Sequence, residues 1–124
     1  MKYIKNLKQA EYFSDGQSGE HIYEFFGKES SSSTPKHSSA LVEMEPGSLS
    51  KKHFHPIVEE SYYILEGEGI IYLNESKTKI TSGDSILIPS RMTRRVKNDY
   101  SSPLKFLVVC TPPWTPGCEV EVKN

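Results

Sequence analysis

Gly47-Ser48-Leu49-Ser50-Lys51-Lys52-His53-Phe54-His55-Pro56-Ile57-Val58-Glu59-Glu60-Ser61-Tyr62-Tyr63-Ile64-Leu65-Glu66-Gly67 is the stretch that decides the fold. His53 and His55 stand two apart, and on a strand such positions project from one face. Two imidazoles on one inward face can grip a single metal ion. Glu59 and Glu60 follow at the start of an apolar run, where a carboxylate can close a third corner. Two histidines and one carboxylate with open positions suit non-haem iron, and equally manganese, nickel or zinc.

The residues on either side of this stretch read as short strands. The apolar or alternating runs are Ala40–Met44, Ser61–Leu65, Ile70–Leu73, Ser85–Ile88 and Leu104–Cys110. Between them stand Pro46-Gly47, Gly67-Glu68-Gly69, Asn74-Glu75, Gly83-Asp84 and Ser101–Pro103. Short β-branched and aromatic runs with turn signals at nearly even intervals predict an all-β sandwich or barrel. After residue 39 no i, i+3, i+4, i+7 pattern persists, so any helix is confined to the first twenty residues. Residues 1–37 read as irregular, with His21 to Phe26 as a possible short strand and the serine run before Thr34-Pro35 as a loop. The tail from 111 to 124 contains Pro112, Pro113 and Pro116. It is expected to be an extended arm on the barrel, anchored by Trp114, the one tryptophan.

Gly47, five residues, His53-x-His55, four residues, Glu60, six residues and Gly67 closely resemble the first motif of the cupin superfamily. Glu59 fits the first gap but not the second, so Glu60 is the motif glutamate. Tyr63 to Gly69 resembles the family's strand, hairpin turn and return strand. Gly83-Asp84-Ser85-Ile86-Leu87-Ile88-Pro89 resembles the first half of the second motif, and Asn98 its end. There Arg91 replaces the motif glycine, and Arg94 replaces the histidine that is normally the fourth metal ligand. The resemblance, to small single-domain cupins of the bacterial type, implies an antiparallel double-stranded β-helix, or jelly roll. It implies one domain over 1–124, with the conserved barrel at about 40–110, and a homodimer. It implies a metal on His53, His55 and Glu60, without fixing a reaction, since one fold serves many chemistries.

Arg94 is the informative departure. A guanidinium is always charged and cannot ligate a cation. It can clamp an anionic substrate beside a three-ligand metal, pair with Glu60 in a metal-free pocket, or face water as part of the basic cluster Arg91, Arg94, Arg95 and Lys97. Tyr62 and Ile64 share strand parity with Glu60 and are expected to line the pocket, whereas Tyr63 and Leu65 face the other way, into sheet packing or a partner subunit. Arg94 and Tyr62 are thus the candidate catalytic groups. Cys110 reads as a small buried hydrophobe, and His21 and His37 as surface residues.

Composition bounds the function. The 124 residues suffice for one core. A net charge of -1 gives no reason to expect nucleic acid or an anionic membrane. No segment has the apolar length to cross a bilayer. No signal peptide is read at the N-terminus, and Cys110 and Cys118 match no zinc or redox spacing, so a cytoplasmic protein with reduced thiols is expected. The first functional reading is a metal-dependent small-molecule enzyme, such as a dioxygenase, lyase or isomerase, acting on an anionic or sugar-like compound. Its alternatives are a non-catalytic binding or sensor module, and a metal-free isomerase or epimerase that pairs a histidine with Tyr62 or Tyr72 across the pocket.

Overall fold

The computed structural model describes residues 3–16 and 18–123. Met1, Lys2, Gln17 and Asn124, which belong to the expected terminal segments, lie outside the described residues. Among the described residues, eleven strands follow a single 3-10 turn at Leu7–Gln9. They are β1 (Glu11–Ser14), β2 (Glu20–Phe26), β3 (Ser38–Met44), β4 (His53–Phe54), β5 (Glu59–Glu66), β6 (Glu68–Leu73), β7 (Ser76–Thr81), β8 (Ser85–Ile88), β9 (Arg94–Lys97), β10 (Leu104–Thr111) and β11 (Val120–Glu121). Their pairings are antiparallel and form two sheets, ordered β1-β2-β3-β10-β5-β8 and β11-β4-β9-β6-β7. Among the described residues, no helix is long and apolar enough to cross a membrane.

Alternation builds the core. Along β5 the even positions Glu60, Tyr62 and Ile64 are buried while Ser61, Tyr63 and Leu65 are exposed. β10 does the same with Leu104, Phe106, Val108 and Cys110 inward. These side chains join Val42, Met44, Ile71, Ile80, Ile88 and Val96 in one cluster between the sheets. Each fully buried aliphatic side chain contributes about 1.5–3 kcal/mol over its exposed state.

The structure departs from the sequence reading at three places. Gly67 is not a hairpin turn: β5 pairs with β10 and β8, while β6 pairs with β7 and β9 in the other sheet. The chain turns a corner between sheets there, with Gly67 at φ 88. A Cβ on it would stand 2.3 Å from the Pro103 carbonyl oxygen, so only glycine fits. The second departure is the N-terminal segment, which is regular over much of its length: β2 lies on β3 and β1 on β2. Its serine loop is tied down, with Ser30 and Ser32 buried and Ser30 Oγ accepting from Gly27 N at 3.0 Å. The third is the arm. Its proline stretch is unpaired, but β11 beyond it pairs with β4, setting Val120 opposite Phe54. Trp114 packs against the core, its backbone N–H donating to Ser38 Oγ at 2.9 Å.

Candidate functional site

β4 and β5 bring the two histidines and the glutamate together. His53 lies in β4 opposite Arg94 of β9, and His55 follows just past the end of β4. Their rings meet edge to face with centroids 5.2 Å apart. His53 Nδ1 lies 2.9 Å from the Lys51 carbonyl, and His55 Nδ1 lies 3.2 Å from the Cys118 carbonyl. A carbonyl can only accept, so each Nδ1 carries the proton and each Nε2 keeps a lone pair in the neutral ring. Burial holds His55 below the usual histidine range, against the pull of Glu60 and with smaller help from Arg94 and His53. One ligand atom each from His53, His55 and Glu60 can be chosen so that all lie within 4.8 Å of one another.

Glu60 is buried and Glu59 is exposed, as the motif spacing requires. Glu60 Oε1 accepts from the Tyr62 hydroxyl at 3.3 Å and lies 3.6 Å from His55 Nε2. Its Oε2 accepts from the Cys110 thiol at 3.1 Å. Cys110 is therefore buried as expected, yet its sulfur serves the site. Burial first, then the Glu60 charge, pushes that thiol far above the usual range, so it stays a protonated donor. Burial first and Glu60 next also hold the Tyr62 phenol well above its ordinary value, so Tyr62 stays neutral.

Arg94 is not a surface residue. It is 1% exposed, and Nη2 stands 3.5 Å from Glu60 Oε1. Nε, Nη1 and Nη2 are all buried without a hydrogen-bond partner. Of the basic cluster, Arg95 is half-buried, its Nε donating to the Ser50 carbonyl at 2.9 Å. Arg91, at the position where the motif carries glycine, adopts φ 72, a left-handed backbone that favours glycine. The Arg91 N–H donates to the His55 carbonyl at 2.7 Å. Asn98, wholly buried, donates to the Met44 and Ser102 carbonyls, a structural role.

A cavity opens between the sheets beside His53, His55 and Glu60. With its opening it holds about 720 Å³. Tyr62, Phe106, Phe13 and Trp114 give it aromatic walls. Arg94 is absent from that lining; it borders a second depression instead, with its Nη2 3.5 Å from Glu60 Oε1. Tyr72 is absent too. It lies by Arg95 and Lys97 in a separate depression, so a histidine–Tyr72 pair across the cavity is not formed.

Three carboxylates that no motif marks also line the cavity: Glu20, Glu24 and Glu119. Glu20 and Glu24 share the inward face of β2 with Ile22, a period of two that was legible once β2 was granted as a strand. Glu119 comes from the arm, and its Oε2 lies 3.6 Å from His53 Nε2. Burial first, then the charges of Glu119, Asp15 and Glu60, raises Glu20 to about 7. Burial, then Glu11 and Glu29, raises Glu24 to about 6.

Known proteins share this architecture. Among curated relatives, uncharacterized protein MJ1618 of Methanocaldococcus jannaschii is 38% identical over 80 residues, 64% of this chain and 64% of its own. The oxalate-binding protein of Thermotoga maritima is 34% identical over 70 residues, 56% of this chain and 58% of its own. The chain thus spans less than two thirds of the length of these relatives. Among solved structures, Streptomyces Pac13, a nucleoside dehydratase also crystallised in variant form with uridine, superposes with a TM-score of 0.81. It is 19% identical, over 99% of this chain and 92% of its own. The polyketide cyclase RemF of Streptomyces resistomycificus also gives 0.81, at 18% identity over 100% of this chain and 87% of its own. At such identities the likeness is one of fold. The cupin domain family itself matches residues 40–110, from the start of the β3 apolar run to Cys110. With that match covering more than half of the chain, and with the two antiparallel sheets around the His53–His55–Glu60 group, the chain belongs to the cupin family.

Proposed function

We propose that the cavity binds and transforms a small molecule with the help of a divalent ion held on His53, His55 and Glu60. The observation that carries this reading is the tautomer lock: both Nδ1 atoms face carbonyls, so each neutral ring keeps its lone pair on Nε2, that of His55 3.6 Å from a Glu60 oxygen and that of His53 3.6 Å from a Glu119 oxygen. Metal-bound imidazoles are typically anchored through their other nitrogen in this way. Charge supports it. Glu20, Glu60 and Glu119 line the cavity, and among the described residues no lysine or arginine does, a balance that a divalent ion would redress.

The ion, whether iron, manganese, nickel or zinc, would supply Lewis-acid polarisation of a ligand oxygen. The chain's own residues do the rest. Tyr62 and Cys110 fix the Glu60 carboxylate by donating to its two oxygens. Arg94, outside the cavity lining, offsets the Glu60 charge and is a positioning residue rather than a clamp on substrate. The aromatic walls exclude water from the ligand's apolar face. Relatives and neighbours named for oxalate, uridine and a polyketide support a small organic ligand.

Calorimetric titration of metal-stripped protein with iron(II), manganese, nickel and zinc tests the reading. One ion per chain is expected, lost in His53→Ala/His55→Ala. In Arg94→His, which restores a ligand and removes a cation, at least tenfold tighter binding is expected. Absence of binding by every ion would overturn it. A specific contact favours the second reading, a metal-free acid–base cavity: the guanidinium already sits 3.5 Å from the oxygen that would hold metal. There the neutral His55 is the base and Tyr62 a proton donor.

The outer face of the six-stranded sheet supports a homodimer. Tyr12, Tyr23, Leu41, Leu107 and Tyr63 stand in one cross-strand row, flanked by exposed Leu65, Leu87 and Val109. Both cysteines are free, which accords with a reducing compartment, and a cytoplasmic location is proposed on that ground.

A further inference from the structure

We propose that β2 sets the ligand class of this cavity: Glu20 and Glu24, with Glu119, admit a neutral, hydroxyl-bearing ring compound such as a sugar or nucleoside and turn away carboxylates and phosphates. This deepens the ligand-binding reading above and rests on it.

The cavity has no positive side chain to offer an anion. Neither lysine nor arginine is among the described residues that line it, and the Arg94 nitrogens are buried outside that lining. Its polar rim is instead carboxylic, from Glu20, Glu24, Glu60 and Glu119. A ligand carboxylate or phosphate would bring another negative charge among these in a poorly hydrated space, where like charges repel strongly. A ligand hydroxyl does the reverse, since it donates to a carboxylate and accepts from a carboxylic acid. Glu20 and Glu24 are suited to both roles, because their ionisation is pushed up toward neutral pH.

Glu24 adds a second, independent pointer. It is 7% exposed, lines the cavity, and its carboxyl has no hydrogen-bond partner among the described residues. The bare α-carbon of Gly27 makes room for it: a Cβ there would stand 2.7 Å from Glu24 Oε1. The Glu24 oxygens are not among the fully buried unpartnered atoms, so they keep access to the space that Glu24 lines, where a ligand hydroxyl can donate to them. The opposite requirement, an apolar flank, is met by the tilted Tyr62–Phe106 pair, 4.9 Å between centroids, and by Phe13 and Trp114, 6.2 Å apart. Aromatic faces of this kind take the flat side of a sugar ring or base.

Matched probes test the proposal: ribose and uridine, their 5′-phosphates, and 5′-amino-5′-deoxyuridine, titrated calorimetrically into metal-stripped and manganese-loaded protein. At least one neutral probe is expected to bind tenfold or more tightly than its phosphate. In Glu20→Gln/Glu24→Gln, or in Glu24→Gln alone should the double variant not fold, that gap is expected to shrink at least fivefold. The proposal is overturned by equal or tighter binding of the phosphate, or by tighter binding of the amine. It is also overturned by an unchanged gap in the glutamine variants, or by no binding of either neutral probe at millimolar concentration. The wild-type manganese titration reads the metal separately. Failure of the probes with metal bound therefore sinks this inference alone, and failure of metal leaves the comparison on stripped protein intact.

Discussion

Arg94 Nη2 lies 3.5 Å from Glu60 Oε1, and both side chains are closed to solvent. The guanidinium makes no hydrogen bond among the described residues. The carboxylate is therefore what offsets a charge that burial would otherwise make prohibitive.

Removing the carboxylate is expected to cost more than removing the guanidinium. Glu60→Gln leaves Arg94 buried and uncompensated, at about 3–5 kcal/mol. Arg94→Met leaves Glu60 with the Tyr62 and Cys110 donors and costs less. The double variant should lose less than the sum of the singles by about 2 kcal/mol or more. Urea unfolding of the four proteins checks this, and strict additivity would show that the pair does not interact.

Two backbone positions make opposite predictions. Arg91 pays for a left-handed conformation at φ 72 where the motif carries glycine. Arg91→Gly is expected to stabilise by about 0.5–1 kcal/mol, the relief of strain less the extra freedom of the unfolded chain. Gly67, at φ 88 against the Pro103 carbonyl, has no room for a side chain. Gly67→Ala should cost more than about 2 kcal/mol, since neither backbone oxygen nor corner can move cheaply. Denaturant midpoints separate the signs, and a destabilised Arg91→Gly would mean that the arginine side chain outweighs its strain.

The sequence made the second half of the barrel legible because its strands alternate cleanly and its corners carry glycine, as β5 and β10 illustrate. That His53, His55 and Glu60 come together was legible in their motif spacing, and one donor atom from each lies within 4.8 Å of the others. β2 was read only as a possible short strand at His21 to Phe26, and β1 not at all, because β2 turns two glutamates inward, which reverses the usual sign of burial. Arg94 was ambiguous because a buried arginine and a surface one have identical local sequence. Only the place of Glu60 across the sheet decides between them. The arm's contribution of Cys118 and Glu119 depends on contacts more than sixty residues apart in sequence, such as His55 with Cys118. No local pattern encodes those.

Glu20 gives a pH signature. Its folded value is about 7, above the ordinary 4.5. Below pH 4.5 the group is protonated in both states and costs nothing. Between 4.5 and 7 the folded state holds a proton that the unfolded chain has released, so stability falls as pH rises. Above 7 the loss is complete, on the order of 2 kcal/mol after allowing for partial exposure. Glu20→Gln should therefore match wild type near pH 4 and exceed it by roughly that amount at pH 8. Urea midpoints across this range decide the matter, and equal midpoints at pH 8 would mean that Glu20 ionises without penalty.

The outer face of the six-stranded sheet yields the last prediction. Leu107 of β10 stands opposite both Leu41 of β3 and Tyr63 of β5, and Leu41 stands opposite Tyr23 of β2. With Leu65, Leu87 and Val109 exposed beside them, apolar side chains run across the sheet on the side away from the cavity. Contiguous patches of this kind are uncommon on monomers. A second copy of the same face, related by a two-fold axis, would cover them, at about 800 Å² per chain for a stable interface. Sedimentation equilibrium is expected to give twice the 14.1 kDa of one chain for wild type and 14.1 kDa for Tyr63→Lys/Leu107→Lys. Because these two side chains point away from the core, the variant should keep its fold and its far-ultraviolet circular dichroism spectrum. A wild-type monomer at micromolar concentration, or a lysine variant that still dimerises, would rule out this face as the interface. Either result would leave the cavity reading untouched, since the patch and the His53–His55–Glu60 group lie on opposite sides of the same sheet.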